Sequence, residues 1–306
     1  MSSVTWGAGG GPPAYATVRL NRDGTVDVLT GAQDLGTGSR TVMAQVAAEV
    51  LGARISEVRT ILGDTELPYA SNSWGSITTA SVAPAVRVAA EEARDALFDA
   101  AAGMMATEPS DLESHDGEIH AKSSDKCMLI RDVCDKLGDV MIIGQGSRGP
   151  NPEATAISAF AAQFAEVEVD LDTGRVRVLR IVSAHDSGRI INPTLAESQL
   201  EGGIIQGLGY ALFEERVLDR RMGIPLNPTM HDYKVPTIAD VPEIDAFFVE
   251  TSDVTANHTG AKGLAEPPII GVAGAIANAV ADAIGREVTE IPLTPWRVLA
   301  TVRGDR

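Results

Sequence analysis

The sequence predicts an α+β protein of two related lobes, and three observations carry that prediction. A strand–turn–strand pattern occurs twice, helical stretches follow without a regular βαβ alternation, and the apolar content suffices for two cores. The chain has 306 residues, 44% of them hydrophobic, enough for one large domain or two of ordinary size. In the first copy, residues 16–29, Val18 and Leu20 alternate with polar residues, Asn21-Arg22-Asp23-Gly24 supplies a turn, and Val26 and Val28 resume the alternation. In the second copy, residues 165–179, Val167, Val169 and Leu171 lead through Asp172-Thr173-Gly174 into Val176 and Val178. Each copy runs on to an Asp two residues before a Gly, Asp34 with Gly36 and Asp186 with Gly188. An offset of about 150 residues between copies is the mark of a repeated unit. It divides the chain into lobes at 1–148 and 149–306, with Pro150 and Pro152 near the boundary.

Helices are predicted after each hairpin, over 41–51 and 195–215, and again over 83–105 and 268–284. Pro84 falls in the first turn of the third of these, where its missing N–H costs nothing, and Gly285 ends the last. The polar stretch 106–140, with turns at Glu108-Pro109-Ser110-Asp111 and Ser123-Ser124-Asp125, reads as a connection between lobes.

The balance of 25 basic against 42 acidic residues, a net charge of -17, repels phosphate backbones and anionic lipid, so nucleic acid is not an expected partner. Cys127 and Cys134 are too few for an iron–sulfur cluster and too widely spaced for a zinc knuckle. Neither an apolar run of about 18 residues nor a basic leader before an apolar core is read in the residues. No membrane span and no export signal are therefore expected, and the expected location is cytoplasmic.

The sharpest candidate for chemistry is Gly260-Ala261-Lys262-Gly263-Leu264-Ala265-Glu266-Pro267-Pro268. Two prolines keep Glu266 out of a helix interior in extended or turn geometry, and Leu264, Ile269 and Ile270 would desolvate it, the setting of a general base. The same carboxylate could instead simply favour a helix N-terminus. Gly36-Thr37-Gly38-Ser39 and the hydroxyl-rich segment 71–81 (Ser73, Ser76, Thr78, Thr79, Ser81) could approach an anion, or could be solvated caps. Gln199-Leu200-Glu201-Gly202-Gly203 with Gln206-Gly207-Leu208-Gly209 could hydrogen-bond a polar ring or pack a helix closely. His185, His231 and His258 have no ligand spacing, so no protein-ligated metal is expected; the turn at 21–24 lacks a calcium loop's acids, and no Rossmann fingerprint is present.

Taken in order, several segments resemble the molybdenum-binding subunit of the xanthine dehydrogenase and aldehyde oxidoreductase family. They are Gln33-Asp34-Leu35-Gly36-Thr37-Gly38, Ala44-Gln45-Val46-Ala47, Thr78-Thr79-Ala80-Ser81, Asn192-Pro193, Gln199-Leu200-Glu201-Gly202, Gln206-Gly207-Leu208-Gly209, Tyr233-Lys234-Val235-Pro236 and the run from Lys262 to Pro268. The resemblance implies a molybdopterin cofactor, in the cytosine dinucleotide form of bacterial relatives, whose dithiolene holds molybdenum with no protein ligand. It implies that Glu266 is the base for oxidative hydroxylation of an aldehyde or N-heterocycle with water as oxygen source. Gly36, Thr37 and Gly38 match a loop facing the metal, Ala80 and Ser81 a segment beside metal and pterin, and Gln199 a pterin contact; Lys262 and Gly263 belong to the motif that carries Glu266.

Family subunits are more than twice this length. The implied partners are the amino-terminal half of the subunit as a separate chain, a 2Fe-2S subunit and an FAD subunit, with the small-molecule substrate shared between chains. An excised domain remains the other explanation of the length, and a non-catalytic cofactor-holding or assembly subunit the other function. Two residues depart from the family: Thr37 stands where glutamine is common, and Ala265 where glycine is usual. A positive backbone angle at Ala265 would cost about 1 kcal/mol.

Overall fold

The computed structural model describes residues 1–153, 155–249 and 251–304. In chain order it consists of β1 (Ser2–Gly7), β2 (Tyr15–Leu20), β3 (Val26–Leu29), α1 (Ser39–Leu51), β4 (Val58–Ile61), α2 (Thr78–Met105), β5 (Leu112–His115), β6 (Glu118–Ala121), β7 (Cys127–Leu129), α3 (Ile130–Lys136) and β8 (Ile142–Ser147). Then follow β9 (Ser158–Val169), β10 (Val176–Asp186), α4 (Pro193–Leu212), β11 (Glu243–Phe248), α5 (Pro267–Ile270), α6 (Val272–Ile284) and α7 (Pro295–Arg303).

The repeat read from the hairpins extends to whole sheets. One is ordered β4-β3-β2-β8 and the other β11-β10-β9-β1. In each, the hairpin pairs antiparallel, and its second strand leads through a helix to a parallel neighbour, β3-α1-β4 and β10-α4-β11. A further helix then packs on each sheet, α2 on the first and α6 on the second. The fourth strand of the second sheet comes from the opposite end of the chain: β1 pairs with β9 from Ser2↔Gln163 to Gly7↔Ser158. The chain therefore crosses between the sheets twice, after β1 and after β8.

Two apolar cores result. The first is dominated by the alanines of α2 and by Leu20, Met43, Leu51 and Leu97. In it α2 lies nearly backbone to backbone on β8, because a Cβ on Gly144 or Gly146 would fall 2.0 Å from the carbonyl oxygen of Ala89 or Ala85. The second core joins Val178 and Ile181 of β10 to Ile204 and Leu208 of α4, Ile276 and Val280 of α6, and Val298 of α7.

The structure corrects four expectations. Residues 106–140 do not form a plain connection: β5-β6-β7 make a small antiparallel sheet whose inner residues Leu112, Ile119 and Ala121, with Val133 of α3, join the first core. Helix α2 starts before Pro84, which sits in its second turn. Pro84 cannot donate to the carbonyl of Ala80, and the buried Arg148 side chain fills the gap, its Nε donating to that oxygen at 3.2 Å. Residues 268–284 form α5 and α6 with a break at Gly271. Finally, Pro267–Ile284 is long and apolar enough to cross a membrane by length and composition. Here Val272, Ala275, Ile276 and Val280 along it are buried in the protein, as in the core helix of a globular domain.

Arg148 also secures both crossings. Its guanidinium donates to the carbonyls of Gly9 (3.2 Å), Gly149 (2.5 Å) and Ala256 (3.2 Å) and to Asn151 Oδ1 (2.5 Å). Burial lowers its affinity for the proton from the ordinary arginine value, and five oxygen acceptors take the place of a carboxylate partner.

A candidate cofactor cleft between the repeats

Equivalent loops of the two repeats face one another. Asp34 accepts from the N–H groups of Gly36 (2.9 Å) and Arg40 (3.2 Å), and Asp186 accepts from that of Gly188 (3.1 Å). Burial would raise both carboxyls, but hydrogen bonds outweigh it and hold each below its ordinary value, from backbone N–H groups at Asp34 and from Lys262, Thr251 and Gly188 at Asp186. Gly36 and Gly38 take left-handed φ of 92° and 83°, which lets the chain turn into α1. Opposite, Asn192 caps α4 by accepting from Leu195 N–H at 3.0 Å and donates to Gln45 of α1 at 2.9 Å. Arg189 pairs with Glu49 at 2.6 Å, so the loop before α4 is tied to α1 of the other repeat.

Between these loops lies a half-open cleft of about 210 Å³. Thr37, Ser39, Ser73, Ser76, Thr78, Thr79 and Ser187 supply hydroxyls, Asn192 and Gln199 amides, and Leu35, Trp74, Ile191, Leu195 and Leu264 apolar surface. Glu266 is its carboxylate, half-buried, with Oε2 out of contact with water and without a hydrogen-bond partner.

The loop that carries Glu266 is held along its length. Arg189 N–H donates to Gly260 O (2.7 Å), Lys262 N–H to Ser187 O (2.9 Å) and Gly263 N–H to Ala8 O (2.9 Å). Lys262 Nζ is turned to Asp186 (2.8 Å) and Asp253 (3.9 Å), so its charge is neutralised within the protein. Gly263 has no room for a side chain, since a Cβ would lie 2.1 Å from the carbonyl oxygen of Ser76. Glu266 N–H then donates to Ser76 Oγ at 2.8 Å. Ser76 has φ of 60°, a left-handed conformation that non-glycine residues adopt mainly where the surroundings impose it. Ala265 has no positive φ, so its methyl carries no such cost. Glu266 itself has helical angles, φ -86° and ψ -33°, directly before the two prolines that open α5, where extended geometry was expected.

Behind α5 runs a buried polar chain. Gln163 Nε2 donates to the carbonyl of Pro268 at 2.7 Å and to Ser183 Oγ at 3.1 Å, and Ser183 Oγ lies 2.7 Å from His185 Nε2. Desolvation pushes His185 down to about 4, so the imidazole is neutral at pH 7. The chain anchors the helix start that presents Glu266.

Comparison with known proteins decides the family. The molybdopterin cofactor-binding domain profile matches residues 1–242. The chain belongs to that family. The molybdenum-binding subunit of xanthine dehydrogenase from Escherichia coli O157:H7 is 37% identical over 97% of this chain and 40% of its own length. The aldehyde oxidoreductase molybdenum-binding subunit of Escherichia coli K12 is 36% identical over 93% of this chain and 38% of its own length. Quinoline 2-oxidoreductase from Pseudomonas putida 86 superposes with a TM-score of 0.86 at 28% identity, over 95% of this chain and 38% of that one. The domain thus spans about two fifths of the relatives it matches.

The cleft of this molybdopterin cofactor-binding domain fits such a group. Its walls offer hydroxyls, amides and one carboxylate but, among the described residues, neither histidine nor cysteine. Such groups can hydrogen-bond a heterocycle or phosphates, and a cofactor that brings its own metal ligands needs no imidazole or thiolate from the walls. Two lining residues, Ser187 and Glu266, bring buried polar atoms with no partner in the protein. Of the residues read from the sequence, Thr37, Gln199, Lys262, Gly263 and Glu266 line the cleft, and Gly36 and Gly38 flank Thr37. Ala80 and Ser81 do not line it. They are buried in α2, where Ala80 O accepts from Arg148 and Ser81 Oγ from the N–H of Gly11 at 3.0 Å. Sequence reasoning passed over Ser187, Arg189 and Gln163; Ser187 sits between the repeated Asp and Gly, the signal that could have found it.

Proposed function

We propose that this domain holds molybdopterin, in its cytosine dinucleotide form, in the cleft between the repeats, and that Glu266 is the base in oxidative hydroxylation of an aldehyde or N-heterocycle with water as oxygen source. The observation that carries the reading is the unpartnered Oε2 of Glu266 on the cleft wall, on a backbone fixed by Ser76 and by the prolines of α5. When bound, the cofactor supplies two-electron redox chemistry at molybdenum. The protein's part is to hold and to move a proton. Gln199 and the hydroxyls of Thr37, Ser39 and Thr78 bind the polar edges, the apolar residues exclude water, and the Glu266 carboxylate takes up the proton released by the attacking water.

The half-open cleft and the exposed Leu35 and Trp74 on its lining suit a cover supplied by the remainder of a molybdenum subunit, with iron–sulfur and flavin chains carrying the electrons away. The test is co-expression with those chains, comparing molybdenum content and aldehyde oxidation for the unaltered protein and Glu266→Gln. Molybdenum content is expected to stay the same while turnover falls about 10²–10⁴-fold. Unchanged turnover would overturn the assignment of Glu266 and leave a chain that only holds the cofactor.

A further inference from the structure

We propose that the outer face of the small sheet β5-β6-β7 binds a zinc-class divalent cation through Glu118, His120 and Cys127. The site is separate from the cleft, and none of its residues lines that cavity.

The strand pleat brings the three together. Glu118 and His120 are two apart on β6 and so share a face, and β7 pairs in a register that sets Cys127 directly opposite His120. The other face of β6 carries Ile119 and Ala121 into the core, which commits the three ligand side chains to the outer side. One ligand atom from each of the three lies within 4.8 Å of the other two. His120 Nε2 and Glu118 Oε2 are 3.4 Å apart. A tetrahedral zinc, with bonds of about 2.0–2.3 Å, places its ligand atoms roughly 3.3–3.8 Å from one another, so small side-chain movements close the site.

Two observations indicate that the histidine is prepared for a ligand. Its Nε2 is out of contact with water and makes no hydrogen bond. Its ring is held in plane by His115, stacked on it at 4.3 Å with an interplanar angle of 6°. The donor set of thiolate, imidazole and carboxylate selects zinc over magnesium or calcium, whose oxygen-rich sites exclude sulfur. With three protein ligands, the fourth position falls to water or to an incoming group. Cys127 is also the accessible thiol of this chain: Cys134 is buried, and burial pushes its thiol up to about 11.

The experiment uses the full chain, stripped with a chelator and titrated with Zn²⁺ alone and with Co²⁺ alone. One equivalent of zinc is expected to bind, with affinity lowered about tenfold or more in Cys127→Ser and in His120→Ala and unchanged in Cys134→Ser. Co²⁺ should give the intense visible bands of tetrahedral coordination and a near-ultraviolet thiolate charge-transfer band that Cys127→Ser abolishes. Zinc should likewise slow alkylation of Cys127. Far-ultraviolet circular dichroism checks that the variants fold, and Glu118→Gln, whose side chain keeps its shape, serves if His120→Ala does not. Equal zinc affinity in the unaltered and altered chains, or a cobalt spectrum without the thiolate band, would overturn the proposal.

Discussion

The two repeats share strand order and helix placement yet solve the same packing problem with opposite chemistry. Where α2 meets β8, the contact is made of Ala85, Ala89, Ala93, Gly144 and Gly146, so close that no side chain fits between. Where α5 and α6 meet β9 and β10, the contact contains Gln163, Ser183 and His185, all fully buried, and Gln163 bonds the carbonyl of Pro268. Each helix start also takes a hydrogen bond, Ala80 O of α2 from Arg148 and Pro268 O of α5 from Gln163; the anchor of α2 lies at its end, beyond the glycine–alanine seam, whereas that of α5 is part of the buried layer itself. The difference teaches that one copy seats its helix by close backbone approach and the other through a buried polar chain that ends at the turn carrying Glu266.

That division can be broken in three places. The largest effect is expected from Gly146→Val in the closely seated copy, which pushes α2 off β8 and should lower stability by about 3 kcal/mol, read as a drop in the urea midpoint at unchanged slope. Tolerance of the valine would mean that the close contact is incidental. A smaller effect belongs to the polar copy. His185 is held down to about 4 by burial, against about 6.5 in the unfolded chain, so its stabilising contribution is complete above pH 6.5 and declines as pH falls toward 4. Stability should fall by about 1.5 kcal/mol between pH 6.5 and pH 5, a slope that His185→Gln removes. If the variant keeps the slope, the loss originates elsewhere. The smallest effect is expected at the junction of the copies, where Ser76→Ala deletes the acceptor for Glu266 N–H. A cost of about 1 kcal/mol should appear as a roughly fivefold fall in kcat with KM unchanged, while Ser76→Gly, which relieves the φ of 60°, should lose no more than that. A change confined to KM would place Ser76 in binding instead of positioning.

Much of the scaffold was legible in the residues. Both hairpins announce themselves through alternation and turn chemistry, and the helices over 41–51 and 195–215 needed only small adjustments at their ends. What stayed hidden depends on partners distant in sequence. Helix α2 continues through Pro84 because Arg148 takes over an orphaned carbonyl, and nothing near Pro84 signals that help. Strand β1 has weak alternation of its own and is defined by pairing with β9. The 106–140 sheet was obscured because its outer residues are polar and its strands are three or four residues long.

At the cleft, the family motifs located Glu266, Thr37 and Gln199, because glycine and proline patterns are local. The support beneath Glu266 was not visible, since Ser76 and Gln163 reach it from other elements. Likewise His120 and Cys127 become cross-strand neighbours only through the β6–β7 register, which their separation in sequence conceals.

The exchange of β1 into the far sheet sets a timetable for synthesis. Gln163, the partner of Ser2 in the register, leaves the ribosome about 160 residues after it, a wait of roughly 8–32 s at usual elongation speeds. During that interval the β2–β8 unit can close on itself while the leading strand trails unpaired. Pairing with β9 then fixes β1 beside the second sheet, and the cleft, whose Gly263 rests on Ala8, closes later still, after the loop at 260–266 has followed.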